Sequence, residues 1–250
     1  MTERQRILIT GASSGLGRGM ALEFAARGRD LALCARRLDR LEALRAEIAR
    51  RYPMVRVAIR ALDVTDYARI APVFREFDAE LGGLDRIIVN AGIGRGEPVG
   101  SGRFAENLAA VTTNFVAALA QCEAAIELFK SRGGGHLVTI SSVASVRGLP
   151  RAQTVYAATK AALTSLSEGI RADHWGSGIR VSTILPGYID TEILSGSRQR
   201  PFIVDAETGC RAMVRAIERE RATAFVPGWP WTPIAFLMRH VPLGLLLRFL

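Results

Sequence analysis

Short apolar runs of strand length alternate along the chain with longer stretches whose apolar residues recur at helical spacing. The runs Arg6–Thr10, Asp30–Ala35, Val55–Ile59, Leu84–Val89, His136–Ile140 and Gly178–Ile184 predict buried strands, and Thr223–Val226 predicts an edge strand. Between them, helices are predicted from after Gly17 through Arg27, over Leu38–Arg51, Asp66–Leu81 and Phe104–Lys130, around Tyr156–Lys160, and over Asp205–Glu220. Regular alternation of strand and helix predicts an α/β fold, a doubly wound parallel sheet with right-handed crossovers. Ligands of such sheets gather at the carboxyl ends of the strands.

Those ends carry the first candidate chemistry. Gly11-Ala-Ser13-Ser14-Gly15-Leu16-Gly17 lies between the first strand and the first helix. A glycine turn there presents backbone N–H groups and a helix N-terminus to a phosphate. The spacing differs from the G-x-G-x-x-G dinucleotide fingerprint. At the end of the second strand, where an acidic residue would accept from an adenosine ribose, the chain has Ala35, then Arg36 and Arg37. A guanidinium welcomes a 2′-phosphate and stacks on adenine, which favours NADP over NAD. Asp63 and Asn90 fall at the next two strand ends.

Composition narrows the classes. The net charge of +9 is almost wholly arginine, since Lys130 and Lys160 are the only lysines. The arginines are scattered along predicted helices, with no zinc-finger spacing and no interleaving of aromatic and basic residues, so a solvated basic face is expected rather than a nucleic-acid site. Cys34, Cys122 and Cys210 are far apart, and His136, His174 and His240 are isolated, so neither a disulfide framework nor a metal site is expected. That usage fits a reducing cytoplasm. The first apolar run is too short for a signal peptide, and no segment reads as apolar enough to span a bilayer.

Tyr156-Ala-Ala-Thr-Lys160 sits in a helix-forming stretch, so the tyrosine and lysine share a face. A phenol ordinarily titrates near pH ~10, and a nearby ammonium favours its phenolate, giving a general acid/base tuned towards neutrality. Ser141 and Ser142 end the fifth strand, where a hydroxyl can donate to a carbonyl oxygen as charge develops. Asn114 lies inside a long apolar helix, and its amide needs partners.

With these motifs in order, the chain resembles the short-chain dehydrogenase/reductase (SDR) family over about residues 4 to 227. The resemblance rests on Thr10-Gly-Ala-Ser-Ser-Gly-Leu-Gly17, Asn90-Ala-Gly92, Ser141-Ser142, Tyr156-Ala-Ala-Thr-Lys160 and Pro186-Gly187. It implies a Rossmann-like single domain, a nicotinamide cofactor, NADP(H) by the Arg36 pattern, and ketone/alcohol chemistry. Asn114, Ser142, Tyr156 and Lys160 would be the catalytic set. Tyr156 would exchange the proton, Ser142 would polarise the carbonyl and Lys160 would also bind the nicotinamide ribose. Asn114 would shape its helix so that a carbonyl holds a water beside the lysine. Asp63 with Val64 would meet adenine, and Asn90, Ala91 and Gly92 would run along the cofactor. Pro186, Gly187, Ile189 and Thr191 would lie near the carboxamide. A dimer or tetramer through the helices of Asn114 and Tyr156 is also implied. One departure stands out: Ser142 lies one residue further from Tyr156 than the family pattern, which places an extra residue near Arg151 to Thr154 and keeps Ser141 as an alternative hydroxyl. Ser145 stands where glycine is frequent.

Tyr188 to Phe202 reads as a mobile substrate lid with Gly187 and Gly196 as hinges. The segment 228–250 is the least family-like part, rich in tryptophan and leucine and divided by Pro233 and Pro242. It reads as packing against the protein or a partner subunit, as a cap on the pocket, or as peripheral membrane contact. An apolar tail beside the lid points to a hydrophobic substrate, such as an acyl chain, sterol or polyprenoid. The alternative function is a non-catalytic NADP(H)-binding sensor on the same fold.

Overall fold

In a computed structural model, which describes residues 4–94, 96–192, 201–246 and 248, seven parallel strands form one sheet in the order β3-β2-β1-β4-β5-β6-β7. They are β1 (Arg6–Thr10), β2 (Asp30–Ala35), β3 (Val57–Ala61), β4 (Arg86–Val89), β5 (Gly135–Ile140), β6 (Ile179–Pro186) and β7 (Thr223–Val226). The third strand starts two residues later than its apolar pattern suggests. Val55 is held in a turn by Tyr52 O, and Arg56 N is taken by the Asp30 carboxylate, so pairing with β2 begins at Val57.

Both faces of the sheet are covered, as parallel sheets require. Successive residues of each strand feed opposite cores. Ile7, Ile9, Leu31, Leu33 and Ile88 face α1 (Gly15–Ala25), α2 (Leu38–Arg51) and α7 (Ala206–Glu218). Leu8, Ala32, Ile87, Val89 and Leu137 face α3 (Tyr67–Leu81), α5 (Ala117–Ser131) and α6 (Thr154–Asp173). Strand order reverses between β1 and β4, so the glycine turn after β1 and Asn90-Ala-Gly92 after β4 flank one crevice.

The predicted helix at 104–130 is interrupted. It runs as α4 (Phe104–Val111), a π-helical turn over Thr112–Val116 and then α5. Asn114 sits within the π turn, and such turns concentrate at functional sites. Contrary to expectation, the Phe104–Ser131 stretch is long and apolar enough to cross a membrane. Its apolar side is already spent: Ala117, Ala118, Cys122, Ala125 and Phe129 are buried in the core.

The tail also departs from expectation. Pro233 does not divide it, because α8 (Gly228–His240) runs through that position. Trp229 is non-helical, so the regular helix begins after it and Pro233 falls within its first turn, where proline is best tolerated. Pro242 does separate α8 from the short α9 (Leu243–Leu246). Gly196, most of the proposed lid, and Leu247, Phe249 and Leu250 lie outside the described residues.

Candidate active site

A cavity of about 920 Å³ opens along the carboxyl ends of the strands. At one end lies the glycine turn. Gly11 has φ +66°, and a Cβ there would stand 2.8 Å from Ala91 Cα; a Cβ on Gly17 would stand 2.4 Å from Gly11 O. Only glycine allows these backbones to approach so closely. The Thr10 hydroxyl accepts from the N–H groups of Asn90 and Ala91, at 3.0 and 3.1 Å, and Asn90 Nδ2 donates to Thr10 O at 2.8 Å. The turn is thus tied to β4. Ser14 stands at the start of α1 without capping it through its side chain. This end offers the first-turn N–H groups of α1 in a glycine-made cradle, and it fits a pyrophosphate.

Arg36 and Arg37, adjacent in sequence, do different things. The Arg37 guanidinium donates to Ser13 Oγ at 3.0 Å and to Ser14 Oγ at 2.7 Å, so it braces the turn. Arg36 is exposed beside Asp63. Asp63 accepts from Thr65 N and Thr65 Oγ1, at 3.0 and 2.8 Å. The Thr65 backbone bond, with the Thr65 hydroxyl and Arg36, holds its carboxyl below the usual range. An ionised acceptor and an exposed guanidinium therefore sit side by side, with Val64 in the same wall.

At the middle of the cavity, Lys160 is buried and its Nζ donates to Ile140 O at 2.9 Å. That bond places Nζ 6.0 Å from the centre of the Tyr156 ring. Burial pushes the ammonium down to about 8. That is still above neutrality, so the protonated form prevails at pH 7. The two terminal serines of β5 part company. Ser141 Oγ bonds Lys160 O at 2.9 Å and Thr164 Oγ1 at 2.7 Å, so it fastens β5 to α6. Ser142 Oγ accepts from Ala144 N at 3.1 Å, at the start of a 3-10 turn over Val143–Val146. Its own proton is left to donate, which favours Ser142 over Ser141 as the carbonyl partner. Between Ser142 and Tyr156, Arg151 adopts φ +61°, inside the region expected to hold the extra residue.

Asn114 faces the same cavity wall from behind. Its Oδ1 accepts from Ile93 N at 2.7 Å, and its Nδ2 donates to Ile93 O at 3.0 Å. This two-bond clamp pins the chain after Gly92 next to the lysine; a Cβ on Gly92 would stand 3.6 Å from Lys160 Nζ. Pro186, Gly187, Ile189 and Thr191 line the cavity with Leu16 and Ser13. Gly15 lies opposite, with a Cβ site 3.6 Å from Thr191 Cβ.

The far end of the cavity was not legible residue by residue. Trp231, Ile234 and Met238 of α8 line it, with Tyr188, Phe202, Val143 and Leu149. Trp231 is packed edge-on by Tyr188 at 5.2 Å and by Phe202 at 6.4 Å. Arg147 donates to the carbonyls of Met238 (2.8 Å) and Val241, so α8 is bolted to the loop that follows Ser142. One face of the tail therefore belongs to the cavity, whereas Phe236 and Leu237 on the other are exposed. The sequence offered a cap on the pocket as one reading of the segment 228–250, without saying which of its residues turn inward.

Among the described residues no cluster of His, Cys, Asp and Glu could hold a metal. The thiols of Cys34, Cys122 and Cys210 are pushed up to about 12, chiefly by burial.

A family model described as "short chain dehydrogenase" matches residues 5–201. An uncharacterized oxidoreductase of Mycobacterium tuberculosis is 53% identical over 246 residues, covering 98% of this chain and 97% of that protein. The 11-beta-hydroxysteroid dehydrogenase 1A of Arabidopsis thaliana is 32% identical over 244 residues, covering 89% of this chain and 68% of its own length. The crystal structure of levodione reductase superposes with a TM-score of 0.82 at 26% identity, covering 91% of this chain and 98% of the other.

Proposed function

Because the chain belongs to the short-chain dehydrogenase family, we propose that it is an NADP(H)-dependent oxidoreductase interconverting a ketone and a secondary alcohol on an apolar substrate. The observation that carries this reading is the buried Lys160 ammonium, held on Ile140 O beside Tyr156 in a cavity that also receives Ser142.

A nicotinamide cofactor, which the glycine turn, Arg36, Asp63 and the Asn90–Gly92 segment would hold, would supply or take up the hydride. In the reducing direction the Ser142 hydroxyl donates to the carbonyl oxygen, and this bond strengthens as negative charge collects there. The Tyr156 hydroxyl delivers its proton to the same oxygen, completing the alcohol. The Lys160 ammonium, undiluted by solvent, stabilises the phenolate left behind. Asn114 keeps Gly92 and Ile93 in place, so that the chain after β4 forms a firm wall beside the lysine.

Cofactor choice rests on Arg36, which is exposed at the end of β2 while Arg37 is engaged with the turn. Substrate class rests on the apolar far wall and is in keeping with a hydroxysteroid dehydrogenase and a levodione reductase among the similar proteins. The test is a fluorescence titration with NADPH and with NADH, in wild type and Arg36→Ala. NADPH should bind more tightly, and the variant should lose roughly 10–100-fold of that affinity, the worth of a charge-assisted bond to phosphate. Equal binding of both cofactors, unmoved by the substitution, would contradict the NADP assignment.

A further inference from the structure

α8 is apolar on both of its sides. Along its 13 residues only Thr232, Arg239 and His240 bear hydrophilic side chains. One side faces the protein: Trp231 and Ala235 are buried, and Ile234 and Met238 line the cavity with Trp231. The other side carries Phe236, 65% exposed, and Leu237, 57% exposed, with Pro233 exposed one turn before them. α9 follows Pro242 and adds Leu243 and Leu245, both half-exposed. A surface helix ordinarily turns polar residues outward, and a helix apolar all round is ordinarily covered. Apolar exposure gathered in this way marks a surface that meets something else. The face also adjoins the cavity. Phe202 lines the cavity, packs edge-on against Trp231 and is itself 57% exposed, so apolar surface continues from the outside to the substrate end.

Charge selects the occupant. No aspartate or glutamate follows Glu220 in the chain, whereas Arg239, His240 and Arg248 are exposed among the apolar residues. The His240 ring lies on Phe236, 4.3 Å between centres, so the basic end of α8 adjoins its apolar face. The segment 143–155, to which Arg147 fastens α8, contains Arg147 and Arg151 and no acidic residue. A second copy of the chain docked on the same face about a two-fold axis would set these arginines against their own equivalents, with no carboxylate from either segment to pair them. An anionic bilayer offers apolar depth and negative charge together. We propose that the outer face of α8 and α9 docks on the surface of an anionic bilayer. Phe236, Leu237, Leu243 and Leu245 enter the acyl boundary, and Arg239 and Arg248 lie at the headgroups. The substrate end of the cavity then borders the lipid. This docking goes beyond the reductase reading and does not depend on it.

The test sediments the full chain with sucrose-loaded vesicles of phosphatidylcholine, alone or mixed with phosphatidylglycerol. Wild type should bind the anionic vesicles at least about tenfold more tightly than the neutral ones. The double variant Phe236→Ser/Leu237→Ser should lose roughly 10–100-fold of that binding, because two side chains no longer gain from burial in lipid. Its thermal midpoint should stay in place, since both side chains already face solvent. Arg239→Glu should weaken binding to the anionic vesicles by roughly 5–30-fold and change binding to the neutral ones little. Failure to bind either vesicle would overturn the proposal. So would anionic binding that the double variant keeps in full, which is plain adsorption of a basic protein. Sizing chromatography covers the second copy: an oligomer that Phe236→Ser/Leu237→Ser splits, with no vesicle binding in wild type, gives the face to a partner subunit and overturns the proposal. Vesicle binding is read without turnover, so failure of the reductase reading leaves this result untouched.

Discussion

At the cofactor end of the cavity the chain touches itself through glycine: Gly11 against Ala91, Gly17 against Gly11 O, Gly92 beside Lys160 and Asn114. At the substrate end the wall is side chain, assembled from Tyr188, Phe202, Trp231, Ile234 and Met238. The first kind of wall is rigid and short in sequence, because close backbone approach tolerates no other residue. The second is gathered from segments far apart along the chain, and many apolar side chains could fill each place. Chemistry common to many substrates belongs in the first, and selectivity belongs in the second. Gly187 is where the two meet, since its bare backbone carries the Trp231 indole.

Changes at the centre should cost most and should not discriminate between substrates. Tyr156→Phe removes the proposed proton donor and is expected to lower kcat about 10²–10⁴-fold for every ketone, while NADPH still binds. Retained turnover in that variant, measured by NADPH oxidation, would remove Tyr156 from the chemistry.

Lys160→Met separates function from stability. Burial lowers the folded-state value of Lys160 from 10.5 to about 8, so the unfolded chain binds the extra proton between those limits. Folding is therefore penalised fully below pH about 8, and the penalty disappears as pH rises past about 10.5. The methionine variant should be inactive yet more stable than wild type at pH 7, by up to about 3 kcal/mol less the cost of the orphaned Ile140 carbonyl. That advantage should shrink between pH 8 and pH 10.5, as denaturant midpoints would report. A variant less stable than wild type at pH 7 would mean that the Ile140 bond outweighs the burial of charge.

Gly187→Ala acts on the junction. The new methyl group overlaps the indole, so Trp231 must shift, at a cost of about 1–3 kcal/mol in stability. Its kinetic mark should fall on KM and on the ranking of ketones more than on NADPH affinity, which a side-by-side titration and substrate panel would resolve.

The sequence shows the first kind of wall well and the second poorly, for the same physical reason. Thr10-Gly-Ala-Ser-Ser-Gly-Leu-Gly17 and Asn90-Ala-Gly92 are local, and Gly11 and Gly17 leave no room for a Cβ, so the alternating strands and the loops that end them could be read directly. Asn114 was visible as an amide in need of partners, but not as a member of a π turn clamping Ile93. Arg36 was singled out in the sequence by its place after β2, but the engagement of Arg37 with the two serines was not visible there. Val55–Ile59 had a fair strand pattern, but the Asp30 carboxylate, which takes Arg56 N, decides where pairing begins. The tail is the extreme case, because nothing local says that Trp231 turns inward while Phe236 faces out.

The most direct test of the whole account is the specificity constant for NADPH-dependent reduction of a long apolar ketone against a short polar one. Measurable turnover is expected, with the apolar ketone favoured by at least about tenfold from buried area alone. No turnover of either, or a preference for the short polar ketone, would contradict it.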